Sequence, residues 1–377
     1  MNIAFYLKVF PSKGKPLNRG LKKAVDGLAS GLVDCGANVS VLCEGEQDSS
    51  FLTEQGYEVK CFANNYHKVF KFSVSPNLEK HLVQNSYDIV VLHGIFHPSL
   101  YSLSRLIQKH GTPYIVAPHD PYHPYIFKKN YQFKWLYWHF FERKLLREAS
   151  LIQLLDIRHG DLLKNLKIET PFVAIPNGFD SNDIILESSL NWTEQGPAKL
   201  LFLGRIDSYN KGLDILVDSF AELLKMTEIN LNIQGPDFGD KKMLLKKAES
   251  LGVSKKFGCK EPDFHVSPTS IIAECDIFCL PSRFEGFGLS ALEAMQAGRV
   301  LLVTEIAGIS PYVKASGCGV VVQPNVASVT EGLLELLACR AHWKEMGLAG
   351  RRYVEENLQW KTIAADALEK YNRLLKQ

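Results

Sequence analysis

Short apolar segments alternate with amphipathic helical segments along this chain, and no other feature restricts its fold as strongly. "NIAFYLKVF" has the composition of a strand, and "LKKAVDGLASGLVDCG" carries apolar residues at helical spacing up to Gly36, a typical helix-ending residue. The apolar strands "NVSVLCE", "YDIVVLHG" and "TPYIVAPHD" follow. Apolar strands separated by helices are typical of a parallel sheet covered on both faces. The first half therefore predicts a Rossmann-like α/β domain.

The apolar pattern stops after "FVAIPNGFD" for roughly twenty residues, a connection that is uncommonly long inside a compact domain. It restarts at "KLLFLG" and continues through "INLNIQG", "CDIFCLP" and "RVLLVTE", with helical segments between these strands. We therefore predict two domains, residues 1–180 and 181–357. Ligands of open parallel sheets bind beyond the carboxyl ends of the strands. The functional residues are expected in strand-to-helix loops, on two sheets that face each other across a cleft.

Composition narrows the classes of partner and compartment. A chain of 377 residues has room for about two domains, and a formal charge of +2 gives no general attraction to nucleic acid. The eight cysteines are scattered without C-x-x-C spacing, which predicts a reducing cytoplasm and no metal site. The start "MNIAFYLKVFP" has no basic leader, and no apolar run approaches the ~18 residues of a spanning helix. We expect a cytoplasmic protein, at most peripheral to the membrane.

The loop "LFLGRIDSYNKGLDIL" is the first candidate for chemistry. Gly204 and Arg205 end a strand, and Lys211 and Gly212 precede a helix. Two cations beside the free amides of a helix N-terminus suit a phosphate or diphosphate. The alternative is solvated surface charge with Gly204 in a plain turn.

The loop "FEGFGLSALEAMQAG" is the second candidate. Gly286 and Gly288 favour a loop, so the helix is expected to begin near Phe287 or Gly288, with Glu285 just before it. Glu293 lies eight residues beyond Glu285, up to ~12 Å further along the helix axis. One elongated ligand is therefore able to touch both carboxylates and the helix N-terminus between them.

The ligand that fits this arrangement is a nucleotide sugar. A carboxylate accepts hydrogen bonds from a vicinal diol, such as that of a hexose or a ribose, and the helix N-terminus suits a diphosphate. The alternative is an ordinary amphipathic helix. In that case Leu289, Leu292 and Met295 lie in the core, and Glu285 and Glu293 lie in solvent.

Two loops of the first half are further candidates. "FPSKGKPLNRGLKKAV" lacks the G-x-G-x-x-G of dinucleotide-binding domains, and Gly20 is either a site of close backbone approach to the ligand or a plain loop glycine. In "YIVAPHDPYHP" a strand ends before His119 and Asp120, whereas His123 is interpreted as incidental. His119 either binds a sugar hydroxyl, assists proton transfer, or is a satisfied structural histidine.

The aromatic and basic segment 127–147 has two interpretations. Its cations suit an anionic membrane surface, and its aromatic residues at helical spacing suit burial in the first domain, which we favour. The cations considered are Lys128, Lys129, Lys134, Arg143 and Lys144, and the aromatic residues are Trp135, Trp138 and Phe141.

Two spaced motifs resemble the signature of the group 1 glycosyltransferases, the retaining family 4 with the GT-B fold. That signature pairs G-R-x(5)-K-G with E-G-F-G-x(3)-L-E-A-M-x-x-G. Here the motifs are "GRIDSYNKG" from Gly204 and "EGFGLSALEAMQAG" from Glu285. The resemblance is strong in the second half, where "CDIFCLPS" and "IPNGFD" also belong to it, and weak in the first.

The resemblance implies a role for each matched residue. Arg205 and Lys211 would hold the diphosphate and stabilise its charge as it leaves. Glu285 would bind hydroxyls of the transferred sugar, Glu293 the ribose diol, and His119 would lie near the donor sugar and the acceptor. The remaining members of the implied donor-binding set are Gly20, Gly204, Gly286, Phe287, Gly288 and Leu289.

The resemblance also implies a reaction and partners. The family's reaction is usually described as a front-face displacement in which the leaving phosphate helps to deprotonate the acceptor, so neither a protein nucleophile, a metal nor a cofactor is implied. The donor would be a UDP-, GDP- or ADP-sugar, and the acceptor a glycan, a lipid-linked glycan or a polysaccharide precursor. The C-terminal helix, residues 358–377, would pack back on the first domain.

The chain departs from the family pattern at three places. Arg19-Gly20 stands where Gly-Gly is frequent, "RVLLV" follows Gly298 where a small residue and Pro-Val are common, and Pro311 stands at the place of a frequent glutamate.

Two other functions are alternatives. A GT-B-like sugar-nucleotide epimerase or hydrolase needs further acid-base carboxylates, and a non-catalytic sugar-nucleotide-binding module would tolerate loss of Arg205, Lys211 or Glu285.

Overall fold

The computed structural model describes residues 1–13, 20–64, 72–128, 130–179 and 185–376. The chain forms two compact units: unit 1 is Met1–Gly178 with Trp360–Gln377, and unit 2 is Phe179–Gln359. The boundary predicted between residues 180 and 181 lies outside the described residues, as do Arg19 and Lys129. Each unit is an α/β domain built on a mainly parallel sheet, which confirms the predicted fold class.

Unit 1 contains an eight-stranded sheet in the order β3-β4-β2-β1-β5-β6-β7-β8. All neighbouring strands are parallel except the short edge pair β3 and β4. Strands β5 and β6 are buried along their whole length, which explains their continuous apolar sequences. The strands are β1 (Asn2–Tyr6), β2 (Asn38–Gly45), β3 (Ser49–Leu52), β4 (Glu58–Ala63), β5 (Ile89–His93), β6 (Tyr114–Ala117), β7 (Leu151–Leu154) and β8 (Phe172–Ala174).

The helices of unit 1 lie in the connections between these strands. Helices α2 and α3 begin with a proline, whose fixed φ and missing N–H suit the first helical turn. A π-helical turn, Trp138–Glu142, joins α5 to α6 without a break. The helices are α1 (Gly20–Asp34), α2 (Pro76–Gln84), α3 (Pro98–Lys109), α4 (Pro124–Lys128), α5 (Tyr131–Tyr137), α6 (Arg143–Arg147) and α7 (Gly160–Asn165).

Unit 2 contains a six-stranded, wholly parallel sheet in the order β11-β10-β9-β12-β13-β14. Its strands are β9 (Ala198–Leu203), β10 (Ile229–Gln234), β11 (Phe257–Lys260), β12 (Ile277–Leu280), β13 (Val300–Thr304) and β14 (Gly319–Val322). Its helices are α8 (Ser208–Lys211), α9 (Leu213–Leu223), α10 (Lys241–Ser250), α11 (Pro268–Ile272), α12 (Leu289–Gln296), α13 (Ser310–Ser316), α14 (Val326–Ala338) and α15 (Trp343–Asn357).

Arg299, one of the departures from the family pattern, is fully buried in unit 2. Its guanidinium donates to the carbonyl oxygens of Ala297 at 2.8 Å, Asn191 at 2.7 Å and Cys275 at 2.9 Å, and lies 4.6 Å from the centre of the Trp192 indole. These bonds offset part of the cost of burying the charge, and Nη2 has no partner among the residues that the structure describes. Arg299 therefore ties the segment before β9 to the sheet.

The last helix, α16 (Trp360–Leu375), packs against α1 in unit 1. Glycines permit this close approach, since a Cβ on Gly27 would lie 2.1 Å from Cε2 of Trp360 and one on Gly31 2.7 Å from the Trp360 carbonyl oxygen. Lys370 Nζ also donates to the Ala174 carbonyl oxygen at 2.8 Å. Among the helices that the described residues form, none has the length and apolar character needed to cross a membrane.

Candidate functional site

The loop after β9 is shaped by a cap and a glycine. The Asp207 carboxylate accepts from the backbone N–H of Asn210 at 3.3 Å, so Asp207 starts the single turn of α8 that ends at Lys211. Gly212 follows with φ +64°, and a Cβ there would lie 2.1 Å from the Pro281 carbonyl oxygen. The loop after β9 therefore passes directly over the end of β12, and only glycine permits that approach.

A partly buried ion pair holds the same loop in place. Arg283 donates to both carboxylate oxygens of Asp214, each at 2.7 Å, and its backbone N–H donates to the Asn210 carbonyl oxygen at 2.9 Å. Burial opposes ionisation of Asp214, but the hydrogen bonds and charge of Arg283 prevail and lower its pKa. Neither residue was predicted from the sequence to belong to the site.

The structure brings Lys211 and Glu285 together. The ammonium group of Lys211 forms an ion pair with Oε2 of Glu285, which also accepts from the Ser282 hydroxyl at 3.2 Å. The two charged side chains are only 14% and 12% exposed. A fixed cation and a fixed carboxylate therefore lie side by side in a sparsely hydrated place, where one ligand is able to present an anion to Lys211 and hydroxyls to Glu285.

The helix after β12 begins at Leu289, next to the predicted start. Gly288 precedes it with φ +101°. The segment before α13 holds this loop in place. The N–H of Ile309 donates to the Phe287 carbonyl oxygen at 2.9 Å, and a Cβ on Gly308 would lie 2.4 Å from the Gly286 carbonyl oxygen. The first amides of a helix have no intrahelical acceptor, so the start of α12 offers donors beside Glu285.

The other predicted residues occupy different surroundings. Glu293 is half-buried in the second turn of α12, and Arg205 is exposed directly after Gly204, with its guanidinium 5.4 Å from the centre of the Phe238 ring. Gly20 is the exposed first residue of α1. Pro311, another departure from the family pattern, lies in the first turn of α13, where proline is well accommodated.

His119 lies in unit 1 after β6 and adopts φ +65°. Its Nε2 is 2.7 Å from Nδ1 of His93, the last residue of β5. Burial lowers the pKa of His119 to about 4, and burial, followed by the proximity of His119, lowers the pKa of His93 well below its usual value. Both imidazoles are therefore neutral near pH 7, and one donates to the other.

The direction of this hydrogen bond follows from burial. Nε2 of His93 is buried and has no partner among the residues that the structure describes. A buried N–H without an acceptor is rarer and costlier than a buried acceptor without a donor. We therefore assign the proton of His93 to Nδ1, which donates to Nε2 of His119. Nδ1 of His119 then carries a proton and is a hydrogen-bond donor, which suits a sugar hydroxyl better than proton abstraction.

A polar cluster at the carboxyl ends of β1 and β2 was missed by the sequence analysis. Glu44 is buried and contacts the ammonium group of Lys8 and the side-chain amide of Asn64. The Tyr6 hydroxyl lies 3.2 Å from Oε1 of Glu44 and 3.1 Å from the Ser99 hydroxyl. The available signals were a lysine two residues after β1 and a glutamate at the penultimate position of the apolar strand β2.

A second buried carboxylate in unit 1 joins the two loops that follow β5 and β6. Oε1 of Glu142, in the π-helical turn, accepts from the backbone N–H of Phe96 at 3.0 Å and from the Tyr122 hydroxyl at 2.7 Å. Burial raises the pKa of Glu142 to about 7. Glu142 therefore supports the loop that carries His119 through its bond to Tyr122.

A cavity of about 590 Å³ lies elsewhere in unit 2. Polar side chains of the sheet, including Lys199, Asn232, Gln234 and Lys260, line it. None of the predicted site residues does, so this cavity is not the place where Lys211 and Glu285 meet.

Two family models match the chain. Residues 190–353 match the model described as "Glycosyl transferases group 1", and residues 19–178 match the model described as "Glycosyl transferase 4-like domain". The first match contains the Lys211–Glu285 pair, and the second contains His119.

Curated relatives and solved structures give a consistent result. The chain is similar to a phosphatidyl-myo-inositol mannosyltransferase of Mycobacterium tuberculosis, 27% identical over 226 residues, or 56% of this chain and 57% of that protein. The chain thus spans little more than half the length of this relative. It is also similar to a GDP-mannose:cellobiosyl-diphosphopolyprenol alpha-mannosyltransferase of Xanthomonas campestris, 25% identical over 300 residues, 77% of this chain and 75% of that protein.

The sucrose-phosphate synthase of Thermosynechococcus elongatus has a similar structure, with a TM-score of 0.78 and 16% identity, covering 100% of this chain and 99% of that one. At this identity the likeness concerns the fold alone. It agrees with the two parallel-sheet domains of a GT-B protein.

Proposed function

Because this chain belongs to the group 1 glycosyltransferases, we propose that it is a retaining glycosyltransferase that moves a sugar from a nucleotide-sugar donor to a glycan or lipid-linked acceptor. The observation that carries the proposal is the Lys211–Glu285 ion pair at the start of α12. Cation, carboxylate and helix N-terminus there match, in one place, the diphosphate and the sugar hydroxyls of such a donor.

In this proposal the chain binds the donor mainly through unit 2. Lys211 and the first amides of α12 face the diphosphate, with Arg205 as a second, more exposed cation. Glu285 accepts hydrogen bonds from the hydroxyls of the sugar, and Glu293 accepts them from the ribose diol. When the donor binds, the Lys211 ammonium group is shared between Glu285 and the diphosphate, and the negative charge that develops on the leaving group draws it further toward the phosphate.

We propose a front-face displacement for the chemical step. The bond between the anomeric carbon and the diphosphate oxygen breaks, the acceptor oxygen bonds to the same face of that carbon, and the acceptor proton passes to the departing phosphate. Lys211, Arg205 and the helix N-terminus take up the developing charge, so the proposed reaction needs no metal and no cofactor. His119 supplies a neutral N–H donor to a sugar hydroxyl through Nδ1.

The names of the relatives support a lipid-linked acceptor. The mycobacterial protein is named for phosphatidyl-myo-inositol, and the Xanthomonas protein for GDP-mannose and a diphosphopolyprenol-linked disaccharide. We accordingly propose a nucleoside-diphosphate hexose as donor, with GDP-mannose the first to be tested, and a place of action at the cytoplasmic face of the membrane.

A ligand screen followed by product analysis tests the proposal. The purified chain is heated with UDP, GDP and ADP and with their hexose conjugates, and the proposal expects one nucleotide to raise the melting temperature in a concentration-dependent way. The matching donor is then incubated with lipid-linked acceptors, with and without EDTA. Transfer with retained anomeric configuration and no loss in EDTA is expected. An inverted product, or a screen in which no nucleotide binds, contradicts it.

A further inference from the structure

The outer side of the continuous helical segment 131–147 in unit 1 is apolar and exposed. Phe133, Leu136 and Phe140, spaced by three and four residues, are 75%, 60% and 63% exposed. Residues three and four apart lie on one face of a helix, so these side chains form a contiguous stripe. Such a stripe of large apolar side chains facing solvent marks an interaction surface.

The opposite side of the same segment is firmly packed. Trp138 is 2% exposed, and its ring lies 5.5 Å from the rings of both Tyr122 and Phe127. Tyr137 and Phe96 continue this internal aromatic cluster, with ring centres 6.2 Å apart. The predicted burial of the segment therefore applies to one of its two sides, and the exposed stripe belongs to a rigid, well-anchored element.

The charged residues of this segment are mainly basic. Six of the 24 residues from 124 to 147 are lysine or arginine, and the single acidic residue among them, Glu142, is buried. Arg147 is exposed, and the Lys144 side chain is 47% exposed and lies 3.8 Å from Oε1 of Glu148, the residue that follows the segment. Lys144 and Arg147 continue the three- and four-residue spacing of Phe133, Leu136 and Phe140, and we call the surface formed by these five side chains the aromatic-basic face.

We propose that the aromatic-basic face binds the surface of an anionic lipid bilayer. Aromatic and leucine side chains enter the boundary between head groups and acyl chains, while the cations face anionic head groups, each worth about 1 kcal/mol near such a surface. A second copy of the chain is a poorer occupant, because two such faces would bring cations against cations. The inference rests on the proposed function only in its physiological reason, which is access to a lipid-linked acceptor.

Vesicle binding of the full chain tests this inference. The chain is sedimented with vesicles of phosphatidylcholine alone and of phosphatidylcholine with phosphatidylglycerol. We expect binding to the anionic vesicles only, and its loss as salt rises from about 50 mM to about 500 mM. The triple variant Phe133→Ser, Leu136→Ser, Phe140→Ser should bind the anionic vesicles at least about tenfold more weakly, since its insertion area is removed.

A matched control variant replaces Leu52 and Met226 by serine, because these side chains are 67% and 61% exposed and lie outside the segment 124–147. Its vesicle binding should equal that of the wild type. Equal binding by the triple variant, or equal binding to neutral and anionic vesicles, overturns the inference. The inference is also overturned if the wild type and the control variant form a concentration-dependent dimer and the triple variant does not. The nucleotide-induced rise in melting temperature should be the same in the triple variant as in the wild type. This measurement distinguishes a loss of membrane binding from a loss of donor binding.

Discussion

Lys211 and Glu285 are 74 residues apart in the sequence and form an ion pair in the structure. The motifs that contain them predict separate roles, one toward the diphosphate and one toward the sugar. Their contact makes those two roles compatible, because the sugar and the diphosphate are neighbouring groups of one donor molecule. The ion pair also keeps each charge compensated before the donor arrives, which limits the cost of holding both in a poorly hydrated site.

Replacing Lys211 by alanine tests its role in the chemical step. We expect kcat to fall at least about 30-fold, equivalent to about 2 kcal/mol of lost transition-state stabilisation. The measurement is steady-state transfer with the donor identified by the thermal screen. Lys225→Ala, which removes an exposed lysine paired with Glu222, should leave kcat unchanged. A Lys211→Ala enzyme with wild-type turnover would remove this residue from the mechanism.

Glu142 makes the stability of unit 1 depend on pH. Its pKa is raised from 4.5 to about 7, so the folded state holds this proton more tightly than the unfolded state. The stability that Glu142 contributes is fully present below pH 4.5 and is lost as the pH rises through about 7. His119 acts in the opposite sense, since its pKa of about 4 makes protonation on acidification destabilising.

The substitution Glu142→Gln isolates this effect, because the amide oxygen is able to keep the bonds from Phe96 and Tyr122. We expect the variant to be more stable than wild type by about 1–3 kcal/mol near pH 8 and by much less near pH 5. Urea unfolding at both pH values measures it. Glu169→Gln, at an exposed position of the same unit, should show no such difference. A pH-independent effect of Glu142→Gln would mean that its burial does not perturb the carboxyl.

Among the elements, the loop after β9 has a conformation that close contacts fix at several points. Asp207 caps α8, Arg283 fixes the loop through Asp214, and Gly212 passes over Pro281. These contacts place Lys211 without any of them touching a ligand in the proposal. Changes in this loop are therefore expected to alter activity through position.

Alanine at Gly212 should combine two penalties. Its φ of +64° disfavours an L-residue, and its Cβ would lie 2.1 Å from the Pro281 carbonyl oxygen. Gly252 has φ +73°, and a Cβ there would meet nothing within 4 Å, so Gly252→Ala reports the conformational penalty alone. We expect about 1 kcal/mol for Gly252→Ala and at least about 2–4 kcal/mol for Gly212→Ala. Urea unfolding compares the two, and equal losses would show that the loop relaxes.

The helical segment 131–147 is buried on one side and exposed on the other. The sequence pattern allowed membrane contact or burial, and burial was favoured. The structure buries Trp138 and leaves Phe133 and Phe140 exposed. Aromatic residues on both sides of a helix give no periodic contrast, and the π-helical turn changes the residue spacing midway.

At the scale of the whole molecule, the chain starts unit 1, builds unit 2, and returns to unit 1 with α16. Gly27 and Gly31 on α1 receive Trp360, and the Tyr371 hydroxyl donates to the Gln153 side chain. The two ends of the chain therefore contribute to one core, and unit 1 is complete only when the last helix has been made.

Removing residues 360–377 tests this dependence. The truncated chain should lose the cooperative unfolding of unit 1, because the glycine-lined face of α1 and the Gln153 side chain are uncovered. Removing only residues 372–377 retains Trp360, Lys370 and Tyr371, and should leave unfolding close to wild type. Calorimetry of the two chains compares them. If the chain without residues 360–377 unfolded like the wild type, α16 would add nothing to the unit 1 core.

The sequence by itself determined the fold class and the four central strands of each sheet, whereas the outer strands β3, β4, β7, β8, β11 and β14 were not predicted. Apolar runs and 3.6-residue periodicity are local properties, so they revealed the alternating strands and helices, and loop glycines marked the start of α12 within one or two residues. The same patterns placed Lys211 and Glu285 in loops at the carboxyl ends of β9 and β12.

Only the tertiary structure decided which side chains meet. The contacts of Lys211 with Glu285 and of His93 with His119 join residues that are distant in the sequence, and Glu44 and Glu142 are buried by such contacts. Such contacts depend on strand order and on the path of each loop, which local patterns do not encode. Burial then sets the ionisation of these groups, because desolvation and neighbouring charge are properties of the packed chain.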